Sequence, residues 1–370
     1  MKIYYIFPEL TFSGPTNQLY YLIKTILKDK KNYDINLILM RKGSNYNKDK
    51  VRFEQLGIKI YEINRTLIGF LEARRIVNSS NDLVIHSTLF PADFLSIFFL
   101  RKNKKIITFR TDPFDNIFSR GVWVGGLIFI FHILLSHLST ISVGCSNAIQ
   151  KRINYRFGKC DYSILNSIDL GIDFSLNQLD NLHISSDWLT LVSIGSLTER
   201  KNPLFICNLI KSVVNKYNLK IELIFYGEGP LLDKIKDFSY LNSEANFLIS
   251  TPGFKLNLYD SELNFNAHIS ASSAEGLPNS VLETLVRGIP NFLTDIDEHL
   301  EFLEYEKDII EVYSISEDID EISSNFYTFL NKVKYLDLNK SAVNCRKCFS
   351  PHITSEKYIN LYSKIGGNLV

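Results

Sequence analysis

Seven residues separate Glu275 from Glu283 in the stretch EGLPNSVLE, and the residues between them are those of a loop turning into a helix. Gly276 allows backbone to approach a ligand closely, and Pro278 stiffens the entry. Asn279 is the expected N-cap, and Gly288 followed by Pro290 ends the helix. Between the two acids, the turn from Leu277 to Ser280 presents free N–H groups and a partial positive charge, a setting for a diphosphate. The flanking carboxylates are hydrogen-bond acceptors, Glu275 for hydroxyls of a sugar ring and Glu283 for those of a ribose. The plainer alternative is a capped helix with two incidental surface acids. The strand-like run that ends at Ser270, just ahead of the loop, weighs toward a site.

A second constellation is IGSLTERKNP, residues 194–203. Arg200 and Lys201 follow the carboxyl end of an expected strand, the edge where parallel sheets bind ligands. Two adjacent cations there can neutralise a leaving diphosphate. As a solvated pair they would sit unfavourably at a helix start, whose dipole repels positive charge. The third is YGEGPL, residues 226–231, in which Gly227 and Gly229 would let backbone lie against a base or phosphate. Taken alone, that pattern is a turn signal.

The elements that must position these groups alternate in type along the chain. Strands are expected at Lys2–Phe7, Ile35–Met40, Lys59–Ile63, Leu83–His86, Ile106–Phe109, Thr140–Gly144 and Tyr162–Leu165. A helix is expected over Thr16–Leu27, with Leu19, Leu22, Ile23 and Ile26 at helical spacing. The rhythm resumes with strands at Leu189–Ile194, Lys220–Tyr226, Ala245–Leu248, Ala267–Ser270 and Pro290–Leu293, and helices at Phe205–Tyr217, Leu231–Phe238 and Ser280–Arg287. Such alternation reads as an α/β protein with parallel sheets. The boundaries drawn are a first domain over 1–173, a linker over 174–187, a second domain over 188–345, and a C-terminal segment over 346–370 whose helix, Ser355–Lys364, packs back on the first domain. Two similar α/β domains facing across a cleft create a place for a ligand.

Length and composition agree: 370 residues exceed what one core organises, and 45% hydrophobic with 22% charged residues describes an ordinary globular chain. Five scattered cysteines fit free thiols in a reducing compartment, and the lone C-x-x-C at Cys345 and Cys348 lacks the partners of a zinc site. The start of the chain reads as a strand, without a secretory signal. The lipid-like stretch Gly125–Leu138 is too short to span a membrane and reads as a buried or interfacial helix. A net charge of +1 conceals asymmetry: residues 1–173 carry 24 basic against 14 acidic residues, and residues 174–370 carry 17 against 26. One half is thus suited to an anionic partner.

In their order, the three constellations resemble those of the retaining glycosyltransferases of family 4 (glycosyl transferases group 1), which share the GT-B fold of two Rossmann-like α/β domains. The resemblance is densest from Val192 to Leu293 and includes E-x7-E at Glu275 and Glu283, Lys201-Asn202, and the GEGPL turn. It implies that Arg200 and Lys201 grip the diphosphate, that Glu283 holds the ribose, and that Glu275 lies near the transferred sugar. In the first domain, Ser13-Gly14-Pro15-Thr16 stands where the family has a glycine-rich loop near acceptor or donor phosphate. His86 and Arg110, expected at strand ends facing the cleft, fall on the acceptor side, and Asn166-Ser167-Ile168-Asp169 resembles an N-G-V-D segment. The chain departs from the family at Ser196 and Arg110, where arginine and histidine are frequent, and at Ser167, which replaces a glycine. The resemblance implies no protein-bound metal or other cofactor. The D-x-D at Asp295–Asp297 recurs at Asp318–Asp320 and reads as composition.

The expectation is therefore a retaining transferase moving a hexose from a nucleotide sugar to a saccharide or polyprenyl-linked acceptor in surface-polysaccharide assembly, of the O-antigen or capsule type. No nucleic acid is expected as a partner. A cytoplasmic location is expected, peripheral at the inner membrane face. The run FLSIFFL, residues 94–100, leads into Arg101, Lys102, Lys104 and Lys105 and suggests contact with anionic lipid. Rival readings are a nucleotide-sugar epimerase of the same fold and a non-catalytic nucleotide-sugar-binding subunit. The single Gly14 after the first strand speaks against a dehydrogenase.

Overall fold

The computed structural model describes residues 1–11, 13–29, 33–42, 46–78, 83–100, 104–169, 188–255, 258 and 265–366. The expected linker, 174–187, and the cations Arg101 and Lys102 lie outside the described residues. The chain divides into two compact units: residues 1–169 with 350–370, and residues 170–349.

The first unit is a parallel sheet of β1 (Lys2–Phe7), β2 (Asp34–Leu39), β3 (Lys59–Glu62), β4 (Leu83–Thr88), β5 (Lys105–Phe109), β6 (Ile141–Gly144) and β7 (Tyr162–Ser163), in the order β3-β2-β1-β4-β5-β6-β7. Its central strand, KIYYIF, is buried on both faces from Ile3 to Phe7, as a strand covered by helices on either side must be. Register places Ile3 beside Ile35 and Val84. The helix Gly14–Asp29 buries Leu19, Leu22, Ile23 and Ile26, the four residues whose spacing marked it. A C-terminal helix, Pro351–Gly366, packs in this unit against Gly14–Asp29 and β4, with Tyr358 and Tyr362 buried in the same core.

The second unit is a parallel sheet of β8 (Trp188–Ile194), β9 (Lys220–Tyr226), β10 (Phe247–Ser250), β11 (Ala267–Ser270), β12 (Asn291–Thr294) and β13 (Ile310–Tyr313), in the order β10-β9-β8-β11-β12-β13. Helices Pro203–Tyr217 and Ile319–Val333 pack together over one core, where Phe292 stacks on Tyr313 with centroids 4.6 Å apart and meets Phe326 edge-on. Burial of one such ring contributes roughly 1.5–3 kcal/mol.

Several elements escape the sequence pattern, among them β13 and the helices Ile319–Val333 and Leu338–Cys348. β13 is a four-residue edge strand with one neighbour, and its burial does not alternate. The apolar period of Ile319–Val333 is plain in its buried Ile322, Phe326, Phe329, Leu330 and Val333, but acids crowd its first turn and obscure it. The stretch FLSIFFL and the described lysines after it are tied to the fold. Helix Phe90–Phe99 buries Ala92, Leu95 and Ser96, Lys105 Nζ donates to the Ile97 carbonyl, and Lys104 Nζ donates to the Gly366 carbonyl. Phe98 of this stretch is exposed, and a longer exposed apolar stripe lies on helix Val122–Leu138.

Candidate functional site

The second unit gathers its chemistry at the carboxyl ends of β8, β9, β11 and β12. After β8 the chain passes Gly195, makes a 3-10 turn over Glu199–Lys201, and enters helix Pro203–Tyr217 through Asn202 in the left-handed conformation. That turn points two cations at the loop following β11. Lys201 Nζ lies 2.5 Å from Glu275 Oε1, and Arg200 Nη1 lies 3.0 Å from Glu275 Oε2. The Ser273 amide donates to the Arg200 carbonyl at 2.9 Å, and the Arg200 guanidinium donates to the Ala274 carbonyl. The two loops are therefore tied through main chain as well as through charge.

Glu275 is 8% exposed, Lys201 17% and Arg200 43%, so the carboxylate forms the floor and the guanidinium reaches solvent. Burial alone would raise the Glu275 carboxyl, but the charges of Lys201 and Arg200 and the hydrogen bond from Lys201 override it and hold it at about 2. One anion against two cations leaves a net positive site. Its spare charge can receive an anionic group, and the fixed carboxylate can accept from a hydroxyl.

Gly227 and Gly229 serve a different purpose from the one their pattern suggests. A Cβ at Gly227 would fall 1.9 Å from the Gly195 carbonyl oxygen, and one at Gly229 would fall 2.4 Å from that of Leu197. These glycines let the loops after β8 and β9 close on one another, with Leu197 and Glu228 joined by a 2.9 Å backbone bond. The close approach these glycines permit is that of the loop after β9 to the loop that carries both cations.

The loop Gly276–Pro278 is buried and leads into helix Asn279–Leu285. Pro278, not Asn279, is the cap residue, and no side chain caps the helix. Proline fixes its own φ and brings Asn279 directly into the first turn. Ser280 is half-buried in that turn. With only seven residues, the helix supplies few aligned peptide dipoles, so the anion-holding capacity rests mainly on Arg200 and Lys201. Glu283 is half-buried one turn on. Burial pushes its carboxyl up to about 7, against the opposing pull of Arg287.

Two histidines that the sequence reading passed over adjoin this cluster. The His268 Nδ1–H donates to Asn291 Oδ1 at 2.7 Å, and the His299 Nδ1–H donates to the Thr294 carbonyl at 2.9 Å. Each buried ring keeps Nε2 without a hydrogen-bond partner among the described residues. Burial holds His268 at about 3 and His299 at about 4, so both are neutral acceptors whose charge state is coupled to Glu275 and Lys201. The only sequence signal was position: each lies in or just after a strand that also delivers a site loop.

In the first unit, Gly14 opens the helix Gly14–Asp29, and Ser13 before it accepts the Asn17 amide through its carbonyl. Arg110 follows β5 directly, donates to Asn166 Oδ1 at 2.8 Å, and keeps a buried Nε without a partner among the described residues. Gln18 bonds both the amide and the carbonyl of Ser167, and Lys24 pairs with Asp169 at 2.5 Å. The helix start and Arg110 thus converge on one segment. His86 differs from its expected strand-end placement: β4 continues two residues beyond it, and its ring is 3% exposed. Its nitrogens lie 2.8 Å from the Tyr362 hydroxyl and 2.8 Å from Thr108 Oγ1, and burial lowers it to about 3.

No group of three His, Cys, Asp or Glu among the described residues is arranged to hold a metal ion. All five cysteines are free thiols, including Cys345 and Cys348.

No family model matches the chain. A 114-residue stretch is 32% identical to MJ1059 of Methanocaldococcus jannaschii, described as an uncharacterised glycosyltransferase; the match covers 30% of this chain and only 27% of that protein's length. Among solved structures, HepE of Anabaena in complex with UDP-glucose superposes with a TM-score of 0.79 at 14% identity, over 98% of this chain and all of its own. Sucrose-phosphate synthase of Thermosynechococcus elongatus gives 0.77 at 11% identity over the whole of both chains. TarM gives 0.75 at 13% identity over 98% of each. At these identities the likeness is one of architecture, and two parallel Rossmann-like units in one chain of this topology have the GT-B fold.

Proposed function

We propose that this chain is a retaining glycosyltransferase of the family 4 type that moves a hexose from a nucleotide sugar to a saccharide or polyprenyl-linked acceptor. The observation that carries the reading is the Glu275 carboxylate held between Lys201 and Arg200 at a strand-end edge. A glycosyl group leaves a nucleotide diphosphate with negative charge building on the bridging oxygen. The spare positive charge of Arg200 and Lys201 meets that charge without a metal ion. Glu275, kept ionised, accepts from hydroxyls of the sugar and fixes its orientation. Glu283 serves the ribose, with the backbone of Gly276–Ser280 and the loop carrying Gly227 and Gly229 framing the nucleotide. Gly14, Arg110 and the Asn166 segment serve the acceptor side, and the sealed surroundings of His86 make it a support for that side. The fold is shared with proteins solved with UDP-glucose and with a lipopolysaccharide outer core galactosyltransferase, WaaB, which supports surface-polysaccharide assembly at the inner membrane face as the setting.

The test is a screen of UDP-, GDP- and other nucleotide sugars for thermal stabilisation, followed by transfer assays with the best donor. Anomeric retention is read from the product by NMR. Inverted product would refute the stereochemical part, and donor consumed without an acceptor to give an epimer would replace the transferase reading by an epimerase.

A further inference from the structure

Helix Val122–Leu138 is built inside out. Its inward side carries polar groups: His132 Nε2 meets Asp93 Oδ2 at 3.0 Å, and buried Ser136 accepts the Lys159 amide at 2.8 Å. Its outward side is apolar. Trp123 is 87% exposed, Ile130 62% and Leu127 58%, with Phe131, Leu134 and Leu138 continuing the stripe at helical spacing. A water-facing helix ordinarily shows the opposite arrangement, and an apolar face of this extent marks a surface that something covers.

At the far end of the helix, His137 Nε2 donates to the Phe157 carbonyl at 2.7 Å, and Gly158 fits against Ile133. This contact sets Phe157 at φ 62°, where a non-glycine residue is strained, with its ring 88% exposed beside Tyr155 at 86%. The fold thus holds two aromatics out into solvent at one margin of the stripe.

Charge selects the occupant. No acid occurs between Asp115 and Asp161, whereas Arg120, Lys151, Arg152, Arg156 and Lys159 do. Arg156 pairs with Asp112 and Lys159 with Asp161, while Arg120 and Lys151 are exposed. A two-fold contact with a second copy would set this basic margin against itself. An aliphatic stripe with exposed aromatics and a basic margin matches the layering of a bilayer surface instead. No helix among the described residues is long and apolar enough to cross a membrane, so the helix would lie along the surface.

We propose that the outer face of Val122–Leu138, with Tyr155 and Phe157, seats on an anionic lipid bilayer. The inference deepens the membrane part of the function proposed above and does not depend on the donor chemistry. The chain has two tryptophans, so Trp188→Phe leaves Trp123 as the single reporter. With vesicles of phosphatidylcholine and phosphatidylglycerol carrying brominated acyl chains, the Trp123 emission should shift blue and be quenched. With phosphatidylcholine alone both effects should be much smaller. The double variant Leu127→Glu/Ile130→Glu, whose sites are exposed, should keep its circular dichroism spectrum and partition at least about tenfold more weakly. Absence of quenching, or undiminished binding by the double variant, overturns the proposal. So does a concentration-dependent dimer broken by these substitutions while vesicle binding persists. Lys201→Ala should lose transfer yet still bind vesicles, so the two readings fail separately.

Discussion

Two buried polar clusters, one in each parallel α/β unit, are built differently. In the first, His86 is closed in by Tyr5, Tyr358, Tyr362 and Thr108, every partner neutral and every partner satisfied at hydrogen-bond distance. In the second, Glu275 is buried to a similar degree but faces two cations, one of them 43% exposed, and has two histidines with unpartnered nitrogens nearby. A satisfied neutral network rigidifies a core. A charged cluster with spare capacity costs stability and persists where a ligand completes it. Under the proposed function the Glu275 cluster binds the donor and the His86 network supports the acceptor side.

The largest expected effect breaks the charged side of this contrast. Lys201→Ala and Glu275→Ala should each lower turnover by about two or more powers of ten, as loss of a preorganised charge-stabilising group does. Near-normal turnover in both would dissolve the contrast. On the neutral side, Tyr362→Phe removes the hydroxyl that bonds both His86 and Tyr5 and should cost about 1–3 kcal/mol in urea unfolding while turnover stays within a few-fold. A large turnover loss at unchanged stability would move His86 into the working site.

Proton linkage sharpens the comparison further. His86, His268 and His299 stay neutral in the folded chain down to about 3, 3 and 4, whereas the unfolded chain protonates them near pH 6.5. Stability should therefore fall as pH drops from about 6.5 towards 4. Glu283 runs the other way: its raised folded value of about 7 gives a contribution present below about 4.5 and lost as pH rises through 7. Glu283→Gln should thus raise the melting temperature more at pH 8 than at pH 5, an effect confined to the second unit. The smallest effect belongs to the exposed pair Arg41–Glu9, where Arg41→Ala should leave the midpoint of a denaturant titration nearly unchanged despite its 2.6 Å contacts.

Much of this was legible in the sequence because two signals are local. Apolar period locates β1, β9 and β11 with the limits they have in the fold, and the strand–loop–helix context around EGLPNSVLE marks Glu275. The direct pairing of Glu275 with Arg200 and Lys201 was not legible, since it joins loops far apart in the chain; the sequence set them only around one ligand. What escaped is non-local. Gly227 and Gly229 read as ligand-facing because sequence does not show that another loop fills the space beside them. His268 and His299 carry no motif: the register of β11 on β12 places the first, and the short helix Asp297–Leu300 after β12 places the second. The outward apolar face of Val122–Leu138 is hidden because two of its polar residues, His132 and Ser136, face inward, the reverse of what apolar periodicity assumes.

Calorimetric titration tests the central claim most directly. The nucleotide sugar that most raises the melting temperature would be titrated into the wild type, Lys201→Ala and Glu275→Gln. The account predicts a saturable site in the wild type, at least about tenfold weaker binding in Lys201→Ala, and a smaller loss in Glu275→Gln. Equal affinity in all three proteins would contradict it.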